Sequence, residues 1–213
     1  MESEKRDMVT FEDVKKNAEI RTYIEKGNAN LGVLGFTKHS IGHATKVSDT
    51  AAKILEELEY PARTVELARI AGYMHDIGNC VNRTDHAHNG AIMAMTILRD
   101  MGMKPDEIAT VIAAIGNHDE KTGTAVDAVS AALILADKTD VRRNRVRGRD
   151  QTKFDIHDRV NFAAISSELH MDQEKRQITL DIQLDDGICS VLDYFEIFLE
   201  RMLMCRRAAE MLG

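Results

Sequence analysis

The doublet His75–Asp76 closes an apolar run and is followed almost at once by a glycine, in "GYMHDIGNC" from residue 72 to residue 80. Imidazoles and carboxylates bind divalent ions and move protons, and both are costly to bury without a partner. Adjacent residues on a helix point about 100° apart, so this pair can face one ion only where the helix is ending. Groups of the same kind recur along the chain: His43 beside Ala44 on an apolar helical face, and Asp137 directly after the apolar run "AALILA". Brought together, these four could hold one divalent ion, which would offset the cost of burying them. His86, His88, His118 and Asp119 fall near expected helix ends and are enough for a second ion, with Asp76 able to bridge the two. A nitrogen and oxygen set without sulfur suits one or two ions of Mn, Fe, Co, Ni or Zn, with Mg also accepted. It is neither the thiolate set of structural zinc nor the all-oxygen cage of calcium.

The elements that must position these groups are mainly helical. Thr10, with Asp13 three residues on, predicts a capped N-terminal helix burying Phe11, Val14, Ala18 and Ile24 and ended by "KGNANLG". Ile41, Ala44, Val47, Ala51, Ile54, Leu55 and Leu58 recur at three- and four-residue steps, an amphipathic helix that stops before Pro61 and turns His43 inward. A helix from Ala62 to His75 ends at the doublet, and further helices are expected over Gly90–Met101, Pro105–Asn117 and Ala125–Asp140.

The pattern then changes. Asp155 predicts a cap for a short helix from Ile156 to Ala164. Ile178, Leu180, Ile182 and Leu184 alternate with polar residues as a half-buried strand, paired with "SELHMD" through the turn "QEKR". A long terminal helix carries Ile188, Val191, Leu192, Phe195, Leu199, Met202 and Leu203 as its apolar face. The expected division is an N-terminal helical arm over residues 1–36, a core over 37–150, and a C-terminal helix, hairpin and long helix over 151–213, with Val146–Lys153 as the linker. The alternating and amphipathic faces of the last segment are expected to pair two copies as a homodimer.

A net charge of −7 and a pI near 5.6 argue against a surface that coats a nucleic-acid polymer or an anionic membrane. Hydrophobic residues at 44% and charged residues at 30% place the chain among globular proteins. No stretch reads as a signal peptide or a membrane helix. Cys80, Cys189 and Cys205 form no paired framework, so they are expected to be reduced thiols in a cytoplasmic protein.

His43 within "HATKV", the doublet within "HDIG", the later histidines and Asp137 within "ADKTD" resemble, in order along the chain from Thr37 to Arg147, the HD superfamily of metal-dependent phosphohydrolases. The resemblance implies an HD-domain helical bundle and His43, His75, Asp76 and Asp137 as ligands of the first metal. For a second metal it favours His86, four residues before Gly90, with His118 as partner and His88 as the substitute. Asn79 stands where many relatives have a lysine. No acidic pair follows the doublet and no "GYP" is present, which weighs against the guanosine-polyphosphate hydrolases and cyclic-di-nucleotide phosphodiesterases of similar pattern.

The expected activity is hydrolysis of a phosphate ester of a small molecule, a nucleotide or related metabolite, by metal-activated water. Asp76 would position the water. Lys138, with Arg142, Arg143, Arg145 and Arg147 of the Arg-rich stretch that runs to Arg149, would offset phosphate charge. The alternative is a metal-containing nucleotide-binding regulatory module without turnover. His39, His157 and His170 read as surface or capping residues.

Overall fold

A computed structural model of the 213-residue chain describes residues 8–148 and 154–213; Arg149 and the far part of the expected linker lie outside them. The described residues form nine α-helices and one two-stranded antiparallel sheet. None of the helices is long and apolar enough to cross a membrane.

Thr10 caps α1 (Phe11–Lys16) through a reciprocal bond pair with Asp13, as its spacing predicts. The single N-terminal helix expected from the pattern is in fact two. Asn17 breaks it and caps α2 (Ala18–Val33), accepting from the Glu19 and Ile20 nitrogens. Nor does "KGNANLG" end α2, which runs through it. Gly27 is needed there for contact rather than for a turn: a Cβ at this position would lie 3.1 Å from the Cys80 nitrogen. Asn30 donates to the Cys80 carbonyl at 3.1 Å, so α2 straps the turn that follows the doublet.

Helices α3 (Ile41–Glu57), α4 (Ala62–Met74), α5 (His86–Asp100), α6 (Pro105–Gly116) and α7 (Ala128–Lys138) enclose the main core. The apolar steps of α3 do face inward: Ala44, Val47, Ala51, Ile54 and Leu55 are buried. Buried on every side from Val129 to Ala136, α7 touches α3, α4, α6 and the terminal helix. That explains an apolar run with no amphipathic period. Asp127 fixes its start through a capping box with Ser130.

Asp155 caps α8 (Ile156–Ala163), accepting from the Asp158 nitrogen, and the chain passes directly into β1 (Ala164–Asp172). The partner strand is therefore longer than "SELHMD". β2 (Gln177–Leu184) pairs with it in a register that sets Leu169 against Leu180 and Asp172 against Gln177. A second cluster of Val141, Val160, Ala163, Cys189, Tyr194 and Phe198 fastens this segment to the body.

The terminal helix α9 (Val191–Leu212) corrects the sequence reading of its apolar face. The packed residues are Tyr194, Phe198, Met204, Cys205 and Ala208, whereas Val191, Leu192, Phe195 and Leu199 are exposed. Two apolar stripes run along this helix, and periodicity does not say which of them meets α7.

Candidate metal centre

At the end of α4, His75 is the last residue in helical geometry and Asp76 follows at φ −99°, ψ 3°, outside the helix. The change of backbone region swings the Asp76 carboxylate round to the side where His75 already points. A 3-10 turn over Ile77–Cys80 carries the chain away, and Gly78 passes close under α5. A Cβ at Gly78 would sit 2.0 Å from the His86 carbonyl oxygen and 2.5 Å from the Gly90 nitrogen. This contact answers why glycine follows the doublet so closely, because the same approach sets His86 beside Asp76.

Four imidazoles share one arrangement. Each Nδ1 donates away from the centre: His43 to Asp140 Oδ2 at 2.7 Å, His75 to the Gly72 carbonyl at 2.8 Å, His86 to the Arg83 carbonyl at 3.1 Å and His118 to the Ile115 carbonyl at 2.6 Å. A carbonyl or carboxylate oxygen only accepts, so the hydrogen is on Nδ1 and the four Nε2 atoms face one another as potential ligands. His43, His75, His86 and His118 are all buried, as is Asp76.

The carboxylate of Asp76 divides them. Its Oδ2 lies 3.6 Å from His43 Nε2 and 3.1 Å from His75 Nε2, while Oδ1 lies 3.6 Å from His86 Nε2 and 4.0 Å from His118 Nε2. Asp137 completes the first group, with Oδ1 3.3 Å from His43 Nε2 and 3.6 Å from His75 Nε2. Two donors about 2.1 Å from one ion at tetrahedral or octahedral angles are themselves ~3–3.4 Å apart, close to these separations. His43 Nε2, His75 Nε2 and Asp76 Oδ2 are buried without a hydrogen-bond partner. His86 Nε2 and His118 Nε2 stand 3.2 Å apart. Unpartnered buried donor atoms at this spacing fit a divalent cation and are costly without one. The groups His43–His75–Asp76, His75–His118–Asp137 and Asp76–His86–His118 each have ligand atoms close enough to hold a metal ion.

Electrostatics separate the two halves. Burial acts to lower the pKa of His75, but the Asp76 and Asp137 carboxylates overcome it and raise the value to about 10. Burial keeps His86 below its ordinary value, and burial with the charge of His75 does the same to His118. Against the cost of burial, His75 holds Asp76, and Lys138 holds Asp137, well below the usual carboxylate range.

Not every residue singled out in the sequence joins the cluster. His88 turns to solvent, 3.8 Å from Asp85, because α5 begins at His86 rather than at Gly90 and presents His86 alone to the centre. The side chain of Asp119 accepts from the Lys121 nitrogen in the loop after His118. Lys138 Nζ is 2.7 Å from Asp137 Oδ2 and 3.7 Å from Glu120. The arginines are largely engaged in tying the chain together. Arg142 chelates the Asp140 carboxylate, and Arg143 lies over Phe162 and donates to its carbonyl. Arg145 is buried, donating to the Lys38 and Asp140 carbonyls. Arg147 donates to the Asn28, Phe36 and Thr37 carbonyls.

Two further residues belong to the site: Asp140, which sequence reasoning passed over, and His39, which it read as a surface or capping residue. Asp140 orients His43, and its only sequence signal is its place three residues after Asp137 in "ADKTD". The His39 ring centroid is 5.5 Å from that of His43, and His39 Nδ1 donates to the Thr37 carbonyl. Its four-residue offset from His43 was the available clue. Neither His157, near Phe198, nor the exposed His170 approaches the cluster.

Replacing Asp140 with Asn keeps the size but removes the charge that holds the His43 ring. We expect affinity for the ion beside His43 to fall about tenfold or more, measured by competition with a chelator; unchanged affinity would show that His43 is held by other means.

Fold and site together define a helical domain with a buried His/Asp centre able to hold metal. The chain belongs to the HD domain family, whose description matches residues 40–196. It is 26% identical to the uncharacterized protein MJ1020 of Methanocaldococcus jannaschii, over 83% of this chain and 76% of that protein. A crystal structure of a predicted HD superfamily hydrolase from an uncultured Thermotogales bacterium aligns with 58% of this chain and 67% of its own, at 27% identity and a TM-score of 0.46.

Proposed function

We propose that this protein is a metal-dependent phosphohydrolase that cleaves a phosphate ester of a small molecule, a nucleotide or related metabolite, with two divalent ions. The observation that supports it most is the division of Asp76: one oxygen serves the His43–His75 pair and the other the His86–His118 pair. Asp137 completes the first set. Bound ions of this kind supply positive charge for a phosphoryl group and make water acidic enough to act as a nucleophile near neutral pH.

The remaining residues orient and enclose. Asn79 Nδ2 donates to Asp76 Oδ1 at 2.7 Å and limits the rotation of the carboxylate. Lys138 holds Asp137 Oδ2, leaving Oδ1 turned to the two imidazoles, so it acts through Asp137 as a positioning residue. Glu120, bound by Lys138 and by Arg201 at 2.7 Å, ties this group to α9.

The test is phosphate release from nucleotides, sugar phosphates and a generic phosphodiester, using metal-stripped protein refilled in turn with Mn, Co, Ni, Fe, Zn and Mg. Release with at least one metal is expected. No release with any metal, together with stabilisation by a nucleotide, would replace the hydrolase with a binding module.

A further inference from the structure

We infer that Arg83 is the phosphate clamp of this centre and that the group it grips is a terminal phosphate; the inference rests on the phosphohydrolase reading. Asn79 is neutral, so the turn after the doublet brings no cation of its own. The other basic residues around the centre have partners: Lys138 has Asp137 and Glu120, Arg142 has Asp140, and Arg201 has Glu120. Arg83 has no carboxylate within ion-pair distance among the described residues. Its polar contacts are long and to neutral acceptors, Nη1 lying 3.4 Å from Asn79 Oδ1 and 3.3 Å from His86 Nε2.

The position is a built one. The guanidinium lies 5.4 Å from the centroid of the Phe36 ring, and the Phe36 backbone is pinned by Arg147 at 2.6 Å. Asn79 bridges the carboxylate and the cation, donating to Asp76 through Nδ2 and accepting from Arg83 through Oδ1. A half-buried guanidinium with open N–H donors, placed beside Phe36 at the edge of the His/Asp cluster, matches the planar two-oxygen face of a phosphate. A terminal phosphate has three non-bridging oxygens, so two can meet the guanidinium fork while the third stays free for the positive charge that the His/Asp cluster would hold. A diester has only two in all, and both functions cannot be filled with the same fork.

The experiment measures the affinity of inorganic phosphate and of dimethyl phosphate for manganese-loaded protein by calorimetry, in wild type, Arg83→Gln and Arg83→Lys, with bound manganese counted in each. Wild type should bind inorganic phosphate more tightly than dimethyl phosphate. Arg83→Gln should weaken inorganic phosphate about tenfold or more with manganese content unchanged, and Arg83→Lys should restore part of it. Equal phosphate affinity in all three proteins would overturn the assignment, as would loss of manganese in Arg83→Gln, which would make Arg83 a support for His86. Equal binding of both anions by wild type would overturn the terminal-phosphate preference. If phosphate binding depends on Arg83 but no ester is hydrolysed, the clamp stands and the hydrolase fails. If esters are hydrolysed and Arg83→Gln binds phosphate normally, the reverse holds.

Discussion

Asp76→Ala should lower metal-dependent phosphate release by about a thousandfold or more, equivalent to roughly 4 kcal/mol of lost transition-state stabilisation. The size of the effect follows from position. Among the described residues Asp76 is the one that sets a separate carboxylate oxygen toward each imidazole pair, so under the two-ion reading the substitution would remove a ligand from both positions at once. The fold should survive, because the Asp76 carboxylate faces the cluster and its contacts are with Asn79 of the same turn and with the imidazoles of the centre. Bound metal and phosphate release measured on the same preparation check it, with circular dichroism as the control for folding. Retained activity with metal still bound would show that Asp76 is not shared between the pairs.

Gly78→Ala should be among the most destabilising single substitutions in the chain. The added Cβ would meet the His86 carbonyl at 2.0 Å and the Gly90 nitrogen at 2.5 Å, both backbone atoms of the first turns of α5. Backbone on both sides cannot give way as a side chain could, so the turn and α5 must separate. The expected cost is about 3 kcal/mol, which for a chain of this size lowers Tm by roughly 6–12 °C. Because the displaced element carries His86, affinity for the second ion should fall with it. Thermal unfolding and metal competition on the variant give both readouts; wild-type Tm would mean that α5 moves freely on the turn.

Local features were legible where one short-range rule decides them. Thr10 with Asp13, and Asp155 before Ile156, name their helix starts because a cap is a contact over three residues. The alternation from Ile178 to Leu184 names its strand for the same reason. His43, His75, Asp76 and Asp137 could be proposed together because buried polar groups on apolar faces demand partners. What the sequence hid depends on contacts between distant segments. The glycines in "KGNANLG" look like a helix end, yet Gly27 is there so that α2 can lie against the Cys80 backbone. The resemblance favours His86 and keeps His88 as a substitute; the packing of Gly78 beneath α5 is what turns His86 toward Asp76 and leaves His88 in solvent. The run of arginines looked like a phosphate site, but Arg142, Arg145 and Arg147 find carboxylates and carbonyls within the fold. Arg83, which has no carboxylate partner among the described residues, is isolated in sequence and carried no pattern to draw attention to it.

The measurement that tests the shared carboxylate most directly is the number of manganese ions bound per chain at saturation, in wild type and in His86→Ala. Two ions in wild type and one in His86→Ala are expected, since removing His86 leaves the His43, His75, Asp76 and Asp137 set intact. A single ion in both proteins, or none in wild type, would contradict a centre in which Asp76 joins two metals.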